Sequence, residues 1–204
     1  MAIRGAALRE HILLTAKDVF LEMGFERASM DVIAIRAATS KRSLYAHFAS
    51  KEKLFRDVVE LVRELYLGRL GTPGDYAEDI AEAVVLFCGR FLQLILWEPA
   101  LRTCRLGIGQ AERLPDASAG FYDAIFHTTH ERLEDFLTEH CRLTRAESTE
   151  ITNQLIGRTV YPRVFRALLG VEPPLPGQPD EATIAKDIDL APIREAVAAL
   201  VPTD

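Results

Sequence analysis

Three serines, Ser29, Ser40 and Ser50, stand eleven and ten residues apart, and an apolar pattern of helical period follows each of them. A serine oxygen caps the free N–H groups at a helix N-terminus, so this spacing leaves room for helices of only about two turns between one cap and the next. Behind Ser29 the inward residues are Ile33, Ala34 and Ala37; the helix behind Ser40 carries Leu44, Tyr45 and Phe48, of which Leu44 and Phe48 read as core. Behind Ser50 the pattern runs on through Leu54, Phe55, Val58, Leu61, Val62 and Leu65. Ahead of all three, Ile12, Ala16, Val19, Phe20 and Met23 trace one face of a longer helix, which Gly24 is expected to close as a left-handed cap. Two short helices set this tightly between longer ones predict a helix-turn-helix.

Charge is distributed to match. The 204 residues carry a formal net charge of -6, yet residues 1–53 hold nine basic and six acidic side chains. From Arg36 to Lys53 five basic residues face only Glu52, a stretch suited to phosphates, although a solvated basic face has the same composition. A recognition helix presents short polar and basic side chains at its N-terminal end to base edges, and Thr39, Ser40, Lys41, Arg42 and Ser43 are placed for that task. Arg36 and Lys53 read as solvated charges. The acidic total argues against a nonspecific architectural DNA binder.

Gly68, Gly71, Pro73 and Gly74 interrupt the fourth helix and open a larger acidic lobe. Ile80, Val84, Phe87, Phe91 and Ile95 predict one helix, and Pro99 suits the first turn of the next, with Leu101, Cys104 and Ile108. A single helix is expected from Pro115 to about Cys141, with Phe121, Ile125, Leu133, Phe136 and Leu137 inward. Thr144 and Glu147 form a capping box for what should be the lobe's longest helix, from Arg145 to Leu169, kinked or split at Pro162. After Gly170, a loop rich in proline (Pro173, Pro174, Pro176 and Pro179) leads to a C-terminal helix with Ile193, Val197 and Leu200. No strand pattern appears, so the fold class is all-α: an N-terminal helix-turn-helix domain over residues 1–53, then a helical bundle over 54–204.

The segment from Phe25 to Leu54, FERASMDVIAIRAATSKRSLYAHFASKEKL, closely resembles the DNA-binding domain of TetR-family bacterial transcriptional regulators. The shared features are Gly24-Phe25, the Ser29 cap, Ile33-Ala34, Ser40-Lys41, Tyr45 with His47-Phe48, and Lys51 with Leu54. The resemblance implies that Tyr45 and His47 donate to phosphate oxygens, that Lys51 brings charge to the N-terminus of the fourth helix, and that Ser29 acts likewise at the second. The family usually has Gly in the turn where this chain has Ala38, followed by Thr39 where an apolar residue is usual. Ala at positive φ costs on the order of 1 kcal/mol, so the turn is either strained or differently shaped. Downstream, RLGIGQAERLPDASAGFYDAIFHTTHERLEDFL looks like the C-terminal lobe of the AcrR/AefR-like branch.

The same resemblance implies that the lobe binds a small effector and supplies a dimer interface. Phe87, Phe91, Trp97, Phe121, Tyr122, Phe126, Tyr161 and Phe165, beside Cys104, Ile125 and His130, are the material for an apolar pocket with a few polar anchors; ordinary core packing explains the same rings. Ile151, Leu155, Val164 and Leu168, with Ile193, Val197 and Leu200, offer two apolar stripes that a symmetry mate would complete as a four-helix bundle. The chain is thus expected to be a ligand-responsive repressor. It would hold a palindromic double-stranded operator as a homodimer and be released by an apolar or amphipathic small molecule.

The rival is a helical metal protein or enzyme using His127 and His130, three residues apart near Glu131 and Glu134. No second carboxylate-histidine set, phosphate loop or nucleophile elbow accompanies them, so no cofactor, metal or catalytic residue is expected. Cys88, Cys104 and Cys141 are odd in number and widely spaced, which fits buried thiols and no disulfide framework. Nothing in the sequence has the length and apolarity of a membrane span or the form of a signal peptide, and a cytoplasmic location is expected.

Overall fold

Each serine cap forms. The Oγ atoms of Ser29, Ser40 and Ser50 accept from the backbone N–H of Val32 (3.2 Å), Ser43 (3.0 Å) and Lys53 (3.1 Å). The computed structural model describes residues 5–175, 177, 179 and 188–202; Pro176 of the expected loop lies outside the described residues, as does Arg4 of the basic count. Helices α1 (Ala6–Arg27), α2 (Met30–Arg36), α3 (Lys41–His47) and α4 (Lys51–Leu67) are followed by α5 (Ile80–Leu96), α6 (Glu98–Ile108), α7 (Pro115–Tyr122) and α8 (Thr128–His140). The chain closes with α9 (Arg145–Thr159), α10 (Tyr161–Leu168) and α11 (Ala191–Leu200). Among the described residues there is no strand, and one isolated bridge joins Trp97 to Leu175. The fold is all-α.

The chain forms two compact units, and chain order does not separate them at residue 53. One unit is Met1–Leu65 with Arg102–Ala124; the other is Tyr66–Leu101 with Ile125–Asp204. In the first, the core of α1 to α4 takes in Ala117 and Phe121 of α7, with Leu106 and Leu114 packed against it. Helices that chain order would assign to the lobe therefore help to build the unit that carries the helix-turn-helix. In the second, α5 is buried on nearly every side and packs against α8, α10 and α11.

Gly24 breaks α1 at φ 75°, ψ 164°. That is not the left-handed cap its position suggested but a region open essentially to glycine alone. The break returns Phe25 to the core, where it is 1% exposed. The end of α2 is a Schellman turn, in which Ala38 N donates to Ile35 O (3.1 Å) and Thr39 N to Ala34 O (3.0 Å). Ala38 sits there at φ 48°, so the turn keeps its shape and carries the strain. Gly170 closes α10 with the same pair of bonds, to Ala167 O and from Val171 N to Arg166 O.

Two expected helices differ. The segment from Pro115 does not run straight to Cys141, because a π turn at Asp123–His127 divides α7 from α8. The segment from Arg145 is split at Val160 into α9 and α10, since Pro162 has no N–H to give and its ring crowds the preceding turn. The 17-residue α5 is consequently longer than the 15-residue α9. The capping box at Thr144 and Glu147 forms as expected.

Ala38→Gly should raise the stability of the chain by about 1 kcal/mol by removing the Cβ from a left-handed position. Urea unfolding compares the two midpoints, and an unchanged or lower midpoint would mean that the turn is not strained.

Candidate functional site

Leu44 and Phe48 anchor α3 with no exposed surface, while Lys41, Arg42 and Tyr45 lie exposed and Ser43 and His47 half-buried. Thr39 and Ser40 precede them at the helix start, with Ser40 Oγ also 3.1 Å from Ser43 Oγ. The expected reading residues thus share one short helix and the turn before it, with Ser29 half-buried at the start of α2.

The five cations between Arg36 and Lys53 are far from equivalent. Arg36 pairs with Glu22, Lys41 with Asp31 (2.6 Å) and Lys53 with Asp57. Lys51 points inward. Its ammonium donates to the carbonyls of Phe25 (2.8 Å), Ala28 (3.0 Å) and Glu26 (3.5 Å) and lies 4.3 Å from the centre of the Phe25 ring. Two of these are ordinary hydrogen bonds and the third, to Glu26, is long and exposed. In this DNA-free structure Lys51 caps the carbonyl end of α1, where a cation is favoured. Of the five, only Arg42 has no hydrogen-bond or ionic partner among the described residues.

In the second unit a chain of rings starts inside and ends at the surface. Phe91, fully buried on α5, meets Phe126 (6.2 Å between centroids), which meets Tyr161 (6.1 Å), which meets Phe165 (6.4 Å), and Phe165 is 61% exposed. His130 stacks on Tyr161, with Nε2 and the phenol oxygen 2.8 Å apart. Burial pushes the His130 pKa below its ordinary value, partly opposed by Glu134, so the ring is neutral near pH 7.

Other effector candidates are placed elsewhere. Phe87 packs against Tyr76 (6.4 Å), and the half-buried Trp97 receives the Arg69 guanidinium at 5.3 Å. Ile125 is buried in the second unit, whereas Cys104, Phe121 and Tyr122 belong to the first. There Phe121 is core, 5.7 Å from Phe55, and Tyr122 is exposed. Burial pushes the Cys88 and Cys104 thiols up to about 12, and raises Cys141 as well, so all three stay protonated.

The residues of the expected dimer stripes differ in burial. Leu155, Val164, Ile193 and Val197 are at most 2% exposed within one chain, which leaves them almost no area to give a partner. Ile151, Leu168 and Leu200 are half-buried. The large apolar surface nearby is instead Phe165, Leu169 and Val171 at the end of α10, which the helical period alone did not single out. His127 and His130 do not combine: His127 faces Glu131 at 3.4 Å while His130 engages Tyr161. Among the described residues no cluster of three or more His, Cys, Asp or Glu could hold a metal ion. Nor is any helix among them long and apolar enough to cross a membrane.

A capped two-turn helix with a polar, basic exposed face, tied to a helical lobe, defines the class of helix-turn-helix transcriptional regulators. Residues 12–58 match the family described as bacterial regulatory proteins, tetR family, and residues 82–190 match the AefR-like transcriptional repressor C-terminal domain. The chain belongs to the TetR family of transcriptional regulators.

Two curated relatives are similar in part. The HTH-type transcriptional activator FasR of Mycolicibacterium smegmatis is 44% identical over 52 residues, which are 26% of this chain and 24% of FasR. The HTH-type transcriptional regulator UidR of Escherichia coli is 40% identical over 80 residues, 38% of this chain and 41% of UidR. The match therefore spans less than half the length of either relative. Among solved structures, one from Mesorhizobium loti assigned to the TetR-family regulators superposes with a TM-score of 0.73 at 20% identity, covering 98% of this chain and 96% of that one. The Flavonoid-responsive Regulator FrrA gives 0.71 at 25% identity, covering 96% and 93%. At 20% identity the first of these likenesses speaks for the fold alone.

Arg42→Ala should leave stability unchanged, weaken DNA binding and lower the salt slope of log K by about one per half-site. Lys51→Met should do the reverse, lowering stability by about 1–3 kcal/mol through three orphaned carbonyls while the slope stays put. Urea unfolding and salt titration of both variants check this; a reduced slope for Lys51→Met would return that residue to the phosphates.

Proposed function

We propose that the chain is a ligand-responsive repressor that binds a palindromic operator as a homodimer and is released by an apolar or amphipathic effector. The observation that carries this reading is the chain of rings from buried Phe91 to exposed Phe165, with neutral His130 and Tyr161 as its polar anchors. Such a lining suits a mostly uncharged molecule with one or two hydrogen-bonding groups. The AefR-like repressor match over residues 82–190 supports the sign of regulation, and FrrA, a regulator responsive to flavonoids, supports the ligand class. FasR, an activator, favours the opposite sign as a second reading.

In this proposal the DNA-facing residues are Thr39, Ser40, Lys41, Arg42, Ser43, Tyr45 and His47, with Ser29 at the start of α2. Two copies about 34–36 Å apart would read two half-sites. Phe165, Leu169 and Val171 provide the exposed apolar surface for the second copy. The functional boundary stays at 53/54, where DNA contact gives way to effector binding, although packing groups α6 and α7 with the reading unit. Release travels along α4, whose 17 residues span roughly 25 Å, so a tilt of about 5° moves one end by about 2 Å.

The test is an operator selected from random duplexes, followed by calorimetry of a flavonoid with and without that operator. A palindromic selected site is expected, and ligand affinity should fall on DNA by the factor by which the ligand weakens DNA binding. Equal ligand affinities in the two titrations would rule out release by that compound, and a promoter fusion distinguishes repression from activation.

Leu169→Glu should give folded monomers with weak operator binding and a melting curve that no longer depends on protein concentration, whereas charge at Val197 should unfold the lobe. Sedimentation and circular dichroism separate the two; a Leu169→Glu dimer would move the interface elsewhere.

A further inference from the structure

One ion pair joins the two short helices directly. Lys41, the first residue of α3, meets Asp31 in the first turn of α2 at 2.6 Å, and the two side chains are 62% and 55% exposed. The carboxylates that pair with Arg36 and Lys53 come from α1 and α4 instead. Lys41 and the exposed Tyr45 stand four residues apart on α3, so they share the side of the helix opposite the buried Leu44 and Phe48. Asp31 therefore lies beside the side chains assigned above to DNA.

A carboxylate is a costly group to set against a duplex. It only accepts hydrogen bonds and phosphates repel it, so it weakens binding to every sequence that brings it no donor. In the major groove the donors are the amino groups of cytosine and adenine. Base pairing sets each of these amino groups beside the carbonyl oxygen of the partner base. Asp31 and Lys41 present the complementary pattern, an acceptor and a donor side by side. The flanking groups then separate the two base pairs. Guanine adds N7 as a second acceptor for an ammonium that has three N–H bonds. In an A·T pair adenine N7 would face the carboxylate and the thymine methyl would face the ammonium, so both flanks oppose the fit.

We propose that Asp31 is a specificity-determining residue: on the operator its carboxylate accepts from a cytosine amino group while Lys41 donates to O6 and N7 of the paired guanine. The assignment rests on the operator reading above and adds an acidic residue to the basic and polar ones named there. Asp31 acts by exclusion as much as by attraction, since a duplex with no amino group at that position leaves the carboxylate facing acceptors.

The experiment selects duplexes from a random pool with the full chain and with Asp31→Ala and Asp31→Asn, circular dichroism verifying the fold of each exposed-site variant. The unmodified chain should select C·G at one position of each half-site, and A·T placed there should weaken binding about tenfold. Asp31→Ala should lose the choice at that position and keep the others. Asp31→Asn should change it to A·T, because an asparagine amide pairs with adenine N6 and N7. Both variants should bind unselected duplex several-fold more tightly, the repulsion from phosphates being gone. A C·G choice that survives both substitutions, or a selected site with no C·G position that depends on Asp31, would overturn the proposal and leave the operator reading standing. A pool from which the unmodified chain selects no sequence would overturn both.

Discussion

Four phenylalanine rings hold the reading unit together. Phe20 and Phe25 from the two sides of the Gly24 break, Phe55 from α4 and Phe121 from α7 meet at centroid distances of 5.0–5.8 Å. Edge-to-face and offset pairs of this kind contribute about 0.5–1.5 kcal/mol each beyond simple burial. Their larger effect is geometric. Phe25 reaches the cluster only because Gly24 turns the chain, and the carbonyls exposed by that turn are the ones Lys51 caps. Lys51 and Arg113 both approach the Phe25 ring, at 4.3 and 5.4 Å, so one residue gathers α1, the start of α4 and the segment before α7. The short helices α2 and α3 are held on this frame.

What is local in this fold is legible in the sequence. The serine caps, the capping box, the strained turn at Ala38 and the split at Pro162 each depend on residues within a few positions of one another, where spacing and physical chemistry coincide. What fails to be legible is long-range. Lys51 meets carbonyls 23–26 residues away, and no pattern within the Phe25–Leu54 segment distinguishes an inward lysine from a phosphate-facing one. The partners of Arg36 and Lys53, Glu22 and Asp57, also lie outside the stretch whose charge was counted. The apolar stripes of α9, α10 and α11 suggest a dimer interface, but periodicity says only that a face is covered. Whether the cover is the same chain or a second copy depends on tertiary packing, and here Leu155, Val164, Ile193 and Val197 are covered internally.

This redistribution changes how the basic stretch should be understood. A formal charge of +4 between Arg36 and Lys53 suggests a strong nonspecific electrostatic footprint. With Arg36, Lys41 and Lys53 facing carboxylates, the cations without a carboxylate partner are Arg42 and Lys51, and Lys51 keeps its charge among neutral carbonyls. Exposed ion pairs are weak, typically 0.2–1 kcal/mol, so a phosphate can displace a carboxylate from Lys41 at small cost. Lys51, held at three points, has no such freedom. A modest electrostatic term leaves more of the discrimination to base contacts, which suits a reader of particular sequences within an acidic protein.

The proposed ring-chain site is selective through what it can desolvate. It offers faces of phenylalanine, a phenol and an imidazole that burial keeps neutral. None of these side chains brings a positive charge, so an anion moved among them would lose its hydration without a counter-charge from the ring chain itself. By linkage a ligand held there shifts the DNA equilibrium only by its differential affinity for the two arrangements, so tight binding alone releases nothing.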